Sequence, residues 1–314
     1  EKLADIHAGL FPRSAAALTD KRLLGALNYL LRRRHACRPE RVERLASHLE
    51  QLRPDWVVCS GDLSSIGSPE EFALACAWLR PIRELAGDRF IYVPGNHDVP
   101  LYRVWERLFA PFGVYRRHFA RDLEPAFHDD ELAVVGVNTA HNWTFTNGRI
   151  RRRRLARLAA AFAAAPPGRC RIVVAHHALA PVAGLENPET MRGARRAAAA
   201  FARAGVELVV AGHLHEAFVV RSEEAFPGLD GRFVIVHCGT TTSARGRGAE
   251  RLAHSATWIE IDAEAITLSV LRHDPETARF VAREAHRFPR HRLPEPATGG
   301  IIQTDTGKTR GGEG

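Results

Sequence analysis

Several things are missing from this sequence, and each absence removes a class of protein. No apolar run reaches the roughly 18 residues needed to cross a bilayer as a helix, so no membrane span is expected. No signal-peptide pattern is legible either, although the chain opens at Glu1 without a methionine, which leaves upstream residues open. Cysteine is sparse: Cys37, Cys59, Cys76, Cys170 and Cys238 are odd in number and show no CxxC spacing. That pattern argues against a disulfide framework and a zinc–thiolate site, and it predicts free thiols in a reducing, cytoplasmic setting. Cys59 and Cys170 fall in strand-like apolar runs, where cysteine acts as a small hydrophobe. No internal repeat of roughly 20–50 residues stands out, so the chain is not read as a solenoid or propeller.

Acidic residues are in deficit, 36 against 44 basic ones, for a net charge of +8. Such a balance permits nucleic acid as a partner. The basic residues, however, are mostly arginines scattered among alanines, and no basic stripe is interleaved with aromatics that would stack bases. The Arg151–Arg154 run continues into Leu155, Leu158 and Phe162 at helical spacing, and reads as the exposed start of an amphipathic helix. Nucleic acid is therefore not the favoured partner.

What is present is ordinary globular composition: 314 residues, 45% apolar and 25% charged. Short apolar runs at Leu3–Ile6, Trp56–Ser60, Phe90–Val93, Leu132–Val137, Arg171–Ala175 and Glu207–Ala211 read as strands. Helical patterns lie between them. Arg41–Leu52 sets Val42, Leu45, Leu49 and Leu52 on one face, Ser68-Pro69-Glu70-Glu71 is a capping box with proline at the first helical position, and Gly205 closes Met191–Ala204. This alternation predicts a largely parallel sheet. After residue 216 strands follow one another at Phe218–Arg221, Phe233–His237, Thr257–Ile261 and Ile266–Arg272, with turns such as Pro227-Gly228 and Asp230-Gly231, which predicts antiparallel hairpins. The expected architecture is α/β, a four-layer α-β-β-α sandwich of two mixed sheets packed together with flanking helices. Residues 1–290 are expected to form one domain, with 291–314 a disordered tail of Gly, Thr and charge.

Strands of the first half end in polar clusters: Asp5-Ile6-His7, Gly61-Asp62, Gly95-Asn96-His97-Asp98, His176-His177 and Gly212-His213-Leu214-His215. Each alone has an ordinary explanation. An Asp after a strand caps a turn, Asn96 can open one, and His176 or His177 can be a satisfied core histidine. Their joint occurrence, all of Asp, Asn and His, points to one crevice at the carboxyl ends of the strands. His213 and His215, two apart, share a face of an extended chain. Carboxylate, imidazole and amide-oxygen donors together suit Mn²⁺, Fe²⁺ or Zn²⁺, and there are more of them than one ion needs.

This order of blocks, D-x-H, G-D, G-N-H-D, H and G-H-x-H, resembles the signature of the calcineurin-like metallophosphoesterase superfamily. Gly239-Thr240-Thr241-Thr242-Ser243, with Arg245-Gly246-Arg247-Gly248, is similar to a segment of bacterial members near the class III cyclic-nucleotide phosphodiesterases. The resemblance implies a hydrolase of phosphate esters with two divalent metal ions. Asp5, His7 and His215 would hold the first ion, Asn96, His176 and His213 the second, and Asp62 would bridge them. A hydroxide between the ions would attack phosphorus, assisted by His97 with Asp98 orienting it. Ala178 stands where the family often has proline two residues after the ligand histidine, so His177 stays an alternative to His176.

Around this core, His141, Arg245 and Arg247 are candidate substrate contacts, the arginines as bidentate phosphate donors. Lys21–Arg34, with five leucines at helical spacing, reads as a helix beside the crevice. The favoured substrate is a small phosphoester, a cyclic nucleotide first. A nuclease and a nucleotide-lipid pyrophosphatase of the same superfamily are alternatives, the latter disfavoured because it commonly has arginine at the position of His97. A non-catalytic scaffold is a third class, disfavoured because every ligand position is filled.

Overall fold

The computed structural model describes Lys2–Leu3 and residues 40–181, 190–242 and 253–291. The expected Lys21–Arg34 helix, and the tail beyond residue 291, lie outside the described residues. The first half runs β1 (Lys2–Leu3), α1 (Glu40–Leu52), β2 (Val57–Cys59), α2 (Pro69–Ala86), β3 (Phe90–Tyr92), α3 (Val104–Phe109), α4 (Gly113–His118), β4 (Ala126–His128), β5 (Leu132–Val137) and α5 (Arg152–Ala164). The second runs β6 (Cys170–Ala175), α6 (Ala194–Arg203), β7 (Leu208–Ala211), β8 (Phe218–Arg221), α7 (Ser222–Ala225), β9 (Val234–His237), β10 (Ser255–Ile261), β11 (Ala265–Asp274) and β12 (Arg279–Pro289).

Two six-stranded mixed sheets result, ordered β12-β11-β10-β1-β2-β3 and β4-β5-β6-β7-β9-β8. Their alternating side chains build three cores. Ile91 and Val93 from one sheet meet Val134, Ile172, Val174, Leu208, Val210, Val234 and Val236 from the other, between the sheets. The opposite faces are covered by helices: Val42, Leu45 and Leu49 of α1 and Phe72 and Leu79 of α2 on the first sheet, Leu155, Leu158 and Phe162 of α5 and Phe201 of α6 on the second. The layering is thus helix, sheet, sheet, helix, as the alternation of elements predicted.

Local signals operate as written in the sequence. Ser68 caps α2 by accepting from the Glu71 amide while the Glu71 carboxylate returns to the Ser68 backbone. That carboxylate also takes the Ser65 and Ile66 amides at 3.3 and 2.9 Å, so the cap fixes the loop before α2. Gly205, at φ +66°, lies just beyond the end of α6. The arginine run opens α5, with Arg154 paired to Glu124 and to the Asn138 carbonyl.

The first sheet is mixed, as expected, with β10, β11 and β12 antiparallel to their neighbours, while two details differ. β8 and β9 do pair antiparallel, but α7 occupies their connection. The strands β4 and β12 and the short helices α3 and α4 were not foreseen. β4 and most of β12 are exposed, so neither carries the apolar period that marks a strand.

Candidate metal centre

Three loops meet at the carboxyl ends of β2, β3 and β6, and glycines make the approach close. A Cβ on Gly95 would stand 2.0 Å from Asp62 Oδ1, and one on Gly61 (φ +106°) 2.6 Å from the Gly95 amide nitrogen. The Gly-Asp and Gly-Asn-His-Asp blocks are therefore two halves of one packed junction. Asp98, fully buried, staples it: its carboxylate accepts from the amides of Asp62, Leu63, Ser64 and Gly95 at 2.9–3.1 Å. Burial, then the Asp62 charge, push its carboxyl up to about 7, against amides that favour the anion.

His176 is the hub. Its Nδ1 faces the Ser60 carbonyl at 2.8 Å. Its Nε2 lies 3.1 Å from Asn96 Oδ1, 3.3 Å from Asp62 Oδ2 and 3.3 Å from His213 Nδ1. One ring nitrogen cannot donate to all three. Donors about 2.1 Å from a shared cation stand roughly 3.0–3.4 Å apart, so the spacing fits a metal ion better than a hydrogen-bond network. The donor set of imidazole, carboxylate and amide oxygen suits Mn²⁺, Fe²⁺ or Zn²⁺.

His177 adds a third imidazole that the sequence offered only as an alternative. Ligand atoms of His176, His177 and His213 all lie within 4.8 Å of one another. Its Nδ1 is 2.7 Å from Thr139 Oγ1, and its buried Nε2 has no hydrogen-bond partner among the described residues. Gly148 makes room for the ring, since a Cβ there would meet its Nδ1 at 2.3 Å. Burial, then the neighbouring imidazoles, hold His177 and His213 well below the ordinary imidazole value. Such a shift favours the neutral imidazole, the form that can ligate a cation.

The backbone is strained here. Among the described residues, Asp62, His213 and His215 are three of the five non-glycine residues at positive φ, at 54°, 76° and 56°. His213 and His215 are held in left-handed conformation, not side by side on an extended strand.

His97 donates its amide to Asp62 Oδ1 at 2.9 Å, and its ring Nδ1 faces the Ser65 carbonyl at 2.9 Å. That carbonyl orients the ring. Among the described residues the Asp98 oxygens bond the amides of the loop junction and the Ser64 hydroxyl, not the His97 ring. His141 shares none of the hub's hydrogen bonds. Its Nδ1 accepts the Trp143 amide at 3.2 Å, and burial with Arg149, Arg151, Arg154 and Arg107 holds its ring down to about 4. Asp5, His7, Arg245 and Arg247 lie outside the described residues. The Phe145 carbonyl, which takes the Asn96 Nδ2 proton at 2.9 Å, left no trace in the sequence, because a main-chain acceptor can belong to any residue.

The family model for calcineurin-like phosphoesterases matches residues 3–217. A comparison with curated proteins finds no match. Among solved structures, purple acid phosphatase PPD1 from yellow lupin (Lupinus luteus) is similar at TM-score 0.59 and 13% identity, over 80% of this chain and 49% of that one. The chain thus spans about half the length of the lupin protein. A dimetal phosphatase from Danio rerio is similar at TM-score 0.59 and 10% identity, over 92% of this chain and 98% of that one. At such identities the likeness is one of fold.

Proposed function

Because the chain belongs to the calcineurin-like phosphoesterase family, we propose that it hydrolyses phosphate esters at a two-metal centre. The observation that carries this is the convergence of Asp62, Asn96 and His213 on His176 Nε2. In this reading Asn96, His176 and His213 would hold one ion and Asp5, His7 and His215 the other, with Asp62 as the ligand they would share. When bound, two such ions supply Lewis acidity to the phosphate oxygens and an activated water.

The chain's own residues do the rest. His97 has its Nδ1 proton taken by the Ser65 carbonyl, so Nε2 is the atom that meets the phosphate or delivers a proton to the leaving oxygen. Asp98 holds the two ligand loops in register. Arg245 and Arg247 are assigned to substrate phosphate as bidentate donors. His141, neutral at ordinary pH, contributes a ring contact and no charge. The substrate class is a small phosphodiester, a cyclic mononucleotide first, from the likeness of residues 239–248 to that branch of the family. The setting assigned is reducing and cytoplasmic, from the sparse cysteines without CxxC spacing in the sequence.

The test strips the protein of metal, restores Mn²⁺, Fe²⁺, Zn²⁺ or Mg²⁺ singly, and follows bis(p-nitrophenyl) phosphate beside p-nitrophenyl phosphate. Metal-dependent turnover that prefers the diester, and vanishes in Asp62→Ala, is expected. Turnover that survives Asp62→Ala, or none with any metal, contradicts the reading.

A further inference from the structure

A buried cation with no counter-ion among the described residues sits beside the candidate metal ligands. Arg107, in α3, is 5% exposed. Its Nη1 donates to the Pro100 carbonyl at 2.9 Å and its Nη2 to the Thr144 carbonyl at 2.6 Å. Its guanidinium lies 4.2 Å from the centroid of the Phe145 ring. No hydrogen bond or ion pair joins it to a carboxylate among the described residues. A guanidinium withdrawn from water with no anion beside it is unfavourable, and what it holds instead is the two backbone carbonyls of Pro100 and Thr144.

Those positions close a ring around Asn96. Pro100 follows the Asn96-His97-Asp98 block, and Thr144 precedes Phe145, whose carbonyl accepts from Asn96 Nδ2 at 2.9 Å. The two ends of a carboxamide are nearly the same size, so only its neighbours decide which end faces the cluster. Here Nδ2 is claimed by Phe145, and Oδ1 stands 3.1 Å from His176 Nε2. A metal takes the oxygen and is repelled by the NH₂ end.

We infer that Arg107 is a positioning residue for Asn96: by clamping the segments at Pro100 and Thr144 it holds the Phe145 carbonyl where it fixes the amide with Oδ1 toward the metal. The inference rests on the two-metal reading. It predicts that Arg107 matters to one ion and not the other, and only while residue 96 is an amide. A carboxylate at position 96 presents oxygen whichever way it turns.

The experiment titrates Mn²⁺ calorimetrically into metal-stripped protein. Arg107→Gln is expected to weaken one of two sites about 10–100-fold, the range for lost outer-shell partners, and to leave the other unchanged. In an Asn96→Asp background the same substitution is expected to change binding by less than about threefold. Unchanged binding in Arg107→Gln, or an equal loss in both backgrounds, overturns the inference, the latter because it reports general loosening. Should Arg107→Gln not fold, Arg107→Lys, which keeps a donor but not the planar fork, is judged in the same two backgrounds. If the unsubstituted protein takes up no Mn²⁺, the two-metal reading and this inference both fall. Undisturbed two-site binding sinks only the inference.

Discussion

The two ends of the parallel strands treat buried polar groups in opposite ways. At the amino ends, polar groups are paired among themselves. Arg290 forks onto Glu207 at 3.0 and 2.8 Å, with side chains 6% and 3% exposed. Trp56 Nε1 donates to Asp129 at 2.8 Å, and Asp129 also takes the amides of Glu131 and Leu132. At the carboxyl ends, acceptors and imidazoles crowd together, backbones turn left-handed, and the His177 Nε2 is buried without a hydrogen-bond partner among the described residues. One edge is satisfied as it stands. The other keeps crowded donor atoms and left-handed backbone among the described residues, the pattern expected where strain is held for binding rather than built for stability.

That contrast is open to attack from both sides. The largest effect is expected from His213→Gly, which should abolish turnover yet leave the unfolding free energy of the metal-stripped protein within about 1 kcal/mol, relief of left-handed strain offsetting lost packing. A steep fall in stability, measured by denaturant titration, would mean that this edge also holds the fold. His97→Ala should lower kcat by about 10²–10⁴-fold with metal content unchanged, checked by assay beside metal analysis. At the other edge, Glu207→Ala leaves Arg290 buried and unpaired. It should cost about 3 kcal/mol in denaturant titration while kcat per folded molecule stays the same.

The smallest effect concerns Asp129. Burial, the largest single influence, pushes its carboxyl up, but the Leu132 and Glu131 amides and the Trp56 indole together hold it below its ordinary value. A carboxyl depressed by folding stabilises above its unfolded pKa of about 3.9 and loses that contribution as pH falls through the folded value. Asp129→Asn should therefore cost about 1 kcal/mol at neutral pH, and its stability deficit should shrink as pH falls below about 4. A deficit that does not change with pH would assign the loss to geometry.

Legibility in the sequence followed the same division. Elements that bury an apolar face were readable: α1 from its spacing, α2 from its capping box, β5 and β6 from short apolar runs. The exposed β12 and six-residue α3 were not, because solvent-facing elements need no apolar period and α3 lacks a side-chain cap. Asp62, Asn96, His176 and His213 were singled out by side-chain chemistry, and the structure brings those four together. The carbonyls of Ser60, Ser65 and Phe145 that hold His176, His97 and Asn96 could not be foreseen, since main-chain acceptors carry no residue signature. Arg107 is concealed differently: in a chain crowded with arginine, nothing local separates a buried clamp from a solvated side chain.

The central claim is that the crowded edge is a two-metal site joined by Asp62. The most direct measurement is the metal bound per chain after loading with Mn²⁺ or Zn²⁺ and removal of excess, in the unsubstituted protein and in Asp62→Ala. Two ions per chain, falling to one or none when Asp62 is removed, is the predicted result. No bound metal, or the same content in both proteins, would contradict the account.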